Sequence, residues 1–188
     1  MQTDLIADVQ KYTAFTDDEN AHVQSVLAFL NKDTNPFDRK NFMGHITGSA
    51  WLLSPDSQSV LLMHHMILDK WLQFGGHADG EADIRNVARR EAQEESGIDN
   101  ILNIKSLSDT IFDVDVHAIP ENAKKQEPHH LHYDIRYIFK TDTLDFSVTP
   151  ESKALKWVHI DDIFGLQLSP SIIRMARKWQ DMLQKNLL

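Results

Sequence analysis

Glu91, Glu94 and Glu95 are spaced i, i+3 and i+4, so on a helix their carboxylates converge on a common point. Clustered carboxylate oxygens suit a hard divalent ion such as Mg²⁺ or Mn²⁺. The neighbouring residues favour a helix. Asp83 is an N-cap residue type, Gly97 fits the position just past a helix C-terminus, and neither proline nor glycine lies between them. At about 100° per residue, Ile84, Val87, Ala88, Ala92 and Ile98 form one apolar stripe, with Asn86, Arg89 and Gln93 opposite. Glu91 and Glu95 fall inside that stripe and Glu94 on its edge. Carboxylates turned toward the protein body need a cation, because removing an unpaired one from water is costly. Arg90, four residues before Glu94, can orient it. The plainer reading is a solvated acidic helix end with one i,i+4 pair. The helical wheel and the Gly75-Gly76 entrance count against it.

From Gly76 to Ile98 the chain resembles the Nudix box, G-x5-E-x7-R-E-U-x-E-E-x-G-U, where U is aliphatic. Gly76, Arg90, Glu91, Ala92, Glu94, Glu95, Gly97 and Ile98 match. One position departs: Ala82 stands where the box has its first glutamate, flanked by Glu81 and Asp83, either of which could present a carboxylate from next door. The resemblance implies an α/β/α sandwich with a mixed sheet, here with added N- and C-terminal helices. It also implies a divalent-metal-dependent pyrophosphohydrolase that cleaves a diphosphate (phosphoanhydride) bond in a nucleoside-diphosphate-linked small molecule. On that reading Glu91, Glu94 and Glu95 hold Mg²⁺ or Mn²⁺, with the backbone carbonyl of Gly76 as a further ligand. The ion polarises phosphoryl oxygens and acidifies a bound water. Arg90 holds the carboxylates in place, and Glu91 is the candidate general base. Glu121, Glu127 and Glu151, all in expected loops, are candidates for an added carboxylate.

Two rivals keep the same fold. A diphosphate isomerase of the isopentenyl type uses a cysteine, and this chain has none. A non-catalytic member would bind a nucleotide-like ligand and act through a partner. Ala82 is the feature that keeps this second rival in play, and the intact R-E-x-x-E-E core argues against it.

The elements that must position these groups can be read along the chain. Two helices are expected at Thr3–Tyr12 and Asp17–Asn31, the second opened by a capping box of Thr16 and Glu19. Residues 1–40 read as a helical elaboration of a single domain spanning 1–188. Strands are expected at Gly44–Leu53 and Val60–Leu68, joined as a hairpin through Ser54-Pro55-Asp56-Ser57. Trp71–Phe74 forms a short strand that delivers the glycines, and Ile101–Ser106 another. Ile111–Ala118 and His130–Phe139 alternate cleanly. If these two pair, one sheet face carries Asp113, Asp115 and His117 beside His130, His132, Asp134 and Arg136. That face could be solvated, line the substrate cleft, or hold a second metal. Cleft lining is the favoured reading, with His130, His132, Asp134 and Arg136 as substrate contacts. Leu155–Val158 is a last strand. Ser169-Pro170 opens a final helix whose stripe of Ile172, Ile173, Ala176, Trp179, Met182 and Leu183 faces the core.

Composition narrows the setting. The chain has 188 residues, 41% hydrophobic and 25% charged, as expected of a globular domain. No apolar run reaches the roughly 18 residues needed to span a bilayer, and Met1-Gln2-Thr3-Asp4 lacks a signal-peptide pattern, so a cytoplasmic protein without membrane attachment is expected. The lack of cysteine excludes disulfides, thiolate metal sites and a cysteine nucleophile. A net charge of −9 without a basic stripe disfavours nucleic acid as a partner. A small phosphorylated substrate remains compatible, since bound metal reverses the local field. A homodimer is the commoner arrangement for such chains.

Overall fold

The computed structural model describes residues 2–107, 110–123, 126–150 and 152–188. The strand that organises it is β1 (His45–Leu53), buried along its whole length. On one side it pairs antiparallel with β4 (Phe74–His77), and at Leu53 with β2 (Ser59–His65). On the other it runs parallel to β7 (His130–Thr141), in register from His45↔His132 to Leu53↔Lys140. β7 is flanked by β6 (Asp113–Ile119) and β5 (Ile101–Asn103), both antiparallel. β2 carries β3 (Trp71–Leu72) and β8 (Ser152–His159). The sheet is therefore mixed, as expected of the α/β class.

Alternation along β1 divides the core in two. Ile46, Ala50 and Leu52 join a cluster with α1 (Gln2–Lys11), α2 (Asp17–Lys32) and α3 (Ile84–Ser96). Trp51 and Leu53 pack instead with Ile172, Met175, Ala176 and Trp179 of α4 (Pro170–Gln184). A Cβ on Gly48 would strike the backbone of Ile84 and Ala88, so a glycine there lets α3 lie directly on β1.

The helix ends follow their expected chemistry. Asp83 accepts the Asn86 N–H at 3.1 Å, and Gly97 closes α3 in the left-handed conformation at φ 68°. Thr16 caps α2 by accepting the Glu19 N–H at 3.2 Å. The other half of that capping box departs from expectation, because Glu19 is buried. Its carboxylate accepts the Phe15 N–H and the Tyr12 hydroxyl and is paired with Lys178 of α4. A carboxylate in the core must keep its cation, and here it ties the N-terminal helices to α4.

Candidate active site

α3 meets β4 where the two glycines sit. The Gly75 N–H donates to Glu95 Oε2 at 2.9 Å, and Glu95 is only 6% exposed. A Cβ on Gly76 would fall within the Glu91 carboxylate, so glycine there lets the acid lie against the strand backbone. Glu94 stands more exposed, at the rim. All three line one cavity of about 700 Å³ together with Gly75 and Gly76. Arg90 binds this group together: it donates to Glu81 at 2.5 Å and to Glu91 at 3.2 Å, and lies 3.9 Å from Glu94. The gap left by Ala82 is thereby filled on one side. Glu81 lines the cavity and carries the bond to Arg90, whereas Asp83 is spent on the helix cap. Carboxylate oxygens gathered beside the Gly76 backbone make a donor set that fits a hard divalent ion.

The cavity wall is the polar face formed where β4, β1, β7 and β6 lie side by side. Register puts His77, His45, His132 and His117 near one end of that face, and Asp134, Arg136, Asp115 and Asp113 further in. β6 and β7 do pair. Its inner part is not solvated, however, since Asp113, Asp115, Asp134 and Arg136 are all buried. Arg136 donates to Asp134, Asp115 and Asp113 at 2.7, 3.0 and 3.1 Å. Arg174 forks onto Asp113 at 2.7 and 2.8 Å, and Lys178 completes the set at 2.7 Å. Burial alone would raise the Asp113 carboxyl. The hydrogen bonds from Arg174 and the charges of Arg136 and Lys178 outweigh it and hold the group below the ordinary carboxylate range.

The expected substrate contacts therefore separate. His132 and Asp134 line the cavity. Asp134 is nevertheless committed, accepting from Thr47, Ser49 and Arg136 at 3.0, 2.8 and 2.7 Å. Arg136 is not brought to the cavity; it lies enclosed behind Asp134 as the counter-ion of three acids. His130 is buried beside His132. Burial and the neighbouring histidines push the His132 imidazole down to about 2. Burial and the Arg39 charge push His77 down to about 4. At neutral pH both rings are uncharged, so they offer a phosphate an N–H dipole without net charge. Neither Glu121 nor Glu127 lines the cavity, and Glu151 lies outside the described residues.

Three contributors escaped the sequence reading. His45 and His77 sit singly in their strands and acquire meaning only through pairing. The third is the Arg39–Asp79 ion pair at the cavity rim, which joins residues forty apart.

A family model described as NUDIX domain matches residues 43–179. Among solved structures, a NUDIX-family hydrolase from Clostridium perfringens is 28% identical, with a TM-score of 0.54, covering 74% of this chain and 97% of its own. An Ap4A hydrolase from C. elegans is 15% identical with a TM-score of 0.55, covering 74% of this chain and 98% of its own. A Nudix hydrolase from M. smegmatis is 20% identical with a TM-score of 0.50, covering 77% and 89%. These last two likenesses bear on the fold alone. A search of curated proteins returns no match to the chain.

Proposed function

The chain belongs to the Nudix family and is a pyrophosphohydrolase of that family; from this premise we propose that it cleaves the diphosphate linkage of a nucleoside-diphosphate-linked small molecule with Mg²⁺ or Mn²⁺ as cofactor. The observation that carries the reading is the convergence of Glu91, Glu94 and Glu95 on one cavity beside the Gly76 backbone. Those three carboxylates and the Gly76 carbonyl would hold the ion. When bound, such an ion supplies Lewis acidity toward phosphoryl oxygens and makes a nearby water more acidic. Arg90 fixes the angle of Glu91 through Oε1, and Glu91 is the group that takes the proton of the attacking water. His132 and Asp134 form the wall against which the substrate lies, with His130 and Arg136 supporting them from behind. Residues 1–40 belong to the same working unit, since Glu19 is tied to α4.

The test is a panel of dinucleotides, nucleotide sugars and nucleoside triphosphates incubated with Mg²⁺, with cleavage products separated chromatographically. Nucleoside monophosphate released from at least one diphosphate-linked member supports the reading. Silence across the panel, with ligands still raising the melting temperature, would favour a binding protein. A second expectation follows from the crowding at Gly76. The Gly76→Ala variant should lose on the order of 100-fold in kcat/KM, because its methyl displaces Glu91 from a position where small offsets are costly. Wild-type turnover in a folded Gly76→Ala protein would show that Glu91 does not need that position.

A further inference from the structure

Outside the carboxylate group, the polar face holds a second gathering of ligand-type side chains. His45 of β1, His77 of β4 and His132 of β7 each offer a ring nitrogen, and the three nitrogens lie within 4.8 Å of one another. Register brings them together: His45 and His132 are direct partners, and His77 pairs with Thr47, the next residue on that face of β1. Their ring centroids are 4.7, 5.0 and 5.1 Å apart.

Hydrogen bonding fixes the tautomers of His45 and His132. His45 Nδ1 lies 3.3 Å from the Asn41 carbonyl, which can only accept, so Nδ1 carries the proton. His45 Nε2 is left with a bare lone pair, buried and without a hydrogen-bond partner, in a residue 1% exposed. His130 Nδ1 donates in the same way to the Pro128 carbonyl at 2.8 Å. Its Nε2 therefore accepts from His132 Nε2–H at 3.3 Å, which leaves the other His132 nitrogen bare. One ring nitrogen donating to a fixed acceptor while the other stays free is the usual state of a metal-binding histidine.

We propose that His45, His77 and His132 form a second metal site, selective for a divalent transition ion of the zinc class and separate from the Glu91, Glu94 and Glu95 group. Neutral imidazoles favour Zn²⁺, Co²⁺, Ni²⁺ or Cu²⁺ over Mg²⁺, which prefers oxygen. Zinc–nitrogen bonds of about 2.0–2.1 Å place tetrahedral ligands roughly 3.3 Å apart, so the rings need only draw together by about 1.5 Å. Three protein ligands leave a fourth position open. His77 and His132 line the cavity of the carboxylates, so water or a substrate oxygen can reach that position from there. The site stands whether or not the glutamates bind Mg²⁺.

The experiment uses the full chain, freed of metal with a chelator and titrated with Co²⁺ in excess Mg²⁺. Binding is followed through the visible absorption of tetrahedral Co²⁺. One Co²⁺ per chain, displaced by Zn²⁺, is expected. His132→Ala and His45→Ala should each weaken it by more than about 100-fold, beyond the effect of losing an outer partner. His77→Gln, at a half-buried position, provides the same test if His45→Ala does not fold. Glu95→Gln should leave Co²⁺ affinity within a factor of about two, as expected of a donor set that excludes the carboxylates. No Co²⁺ uptake in excess Mg²⁺, uptake unaffected in the histidine variants, or uptake lost in Glu95→Gln would each overturn the proposal.

Discussion

Glu95→Gln is expected to lower kcat at saturating Mg²⁺ on the order of 10³-fold while the protein stays folded, the scale of losing one preorganised electrostatic contact at a reacting centre. The substitution preserves shape. Glutamine keeps a carbonyl oxygen that can accept the Gly75 N–H, the bond Glu95 makes at 2.9 Å. It removes only the negative charge, from a position 6% exposed. Steady-state kinetics across a Mg²⁺ titration, paired with a thermal melt, separate the outcomes. Unchanged kcat at saturating metal would remove Glu95 from the ion's surroundings. A collapse of the melting temperature would instead mark its charge as structural.

The second large effect concerns stability. Arg136→Met should cost about 3–5 kcal/mol, because it leaves buried carboxylates without their shared cation. For a chain of this size that is a fall in melting temperature of roughly 6–20 °C. The pH dependence follows in sign. Asp113 and Asp115 are held below the ordinary carboxylate range in the folded protein. The unfolded chain takes up protons near pH 4, about where free aspartate titrates, and the folded chain does not. The contribution of the network is thus complete well above pH 4 and drains away as pH falls through and below it. In Arg136→Met those folded-state values rise, so its melting temperature should decline less steeply on acidification. Melts from pH 7 down to pH 3 would show this. A raised KM with an unaltered melting temperature would return Arg136 to the substrate.

Sequence pattern reveals the carboxylate-bearing helix because everything needed to see it is local. The wheel of residues 84–96, the Asp83 cap and the terminal Gly97 lie within fifteen residues of one another, and the structure keeps each in its expected role. The alternation in Asp113–His117 and His130–Arg136 likewise showed which side chains share a face. It could not show what covers that face, since the neutralising cations Arg174 and Lys178, and the Glu19 carboxylate that shares them, arrive from helices at both ends of the chain. Arg136 reads as a phosphate ligand because alternation puts three acids on its face without showing that the face is closed over and the acids take up its guanidinium. The histidine gathering escaped because its members come from three different strands.

The pairing of β1 with β7 also sets a timetable for biosynthesis. Residues 45–53 emerge from the ribosome long before residues 132–140, their parallel neighbours, and β2 waits similarly for β8. Until then a strand that is buried along its whole length in the folded protein has no lasting mate on that side, and closing so wide a loop is slow. Nascent chains stalled before residue 130 should therefore be protease-sensitive and chaperone-bound, whereas the local turn-and-helix segment at 74–97 can already be forming.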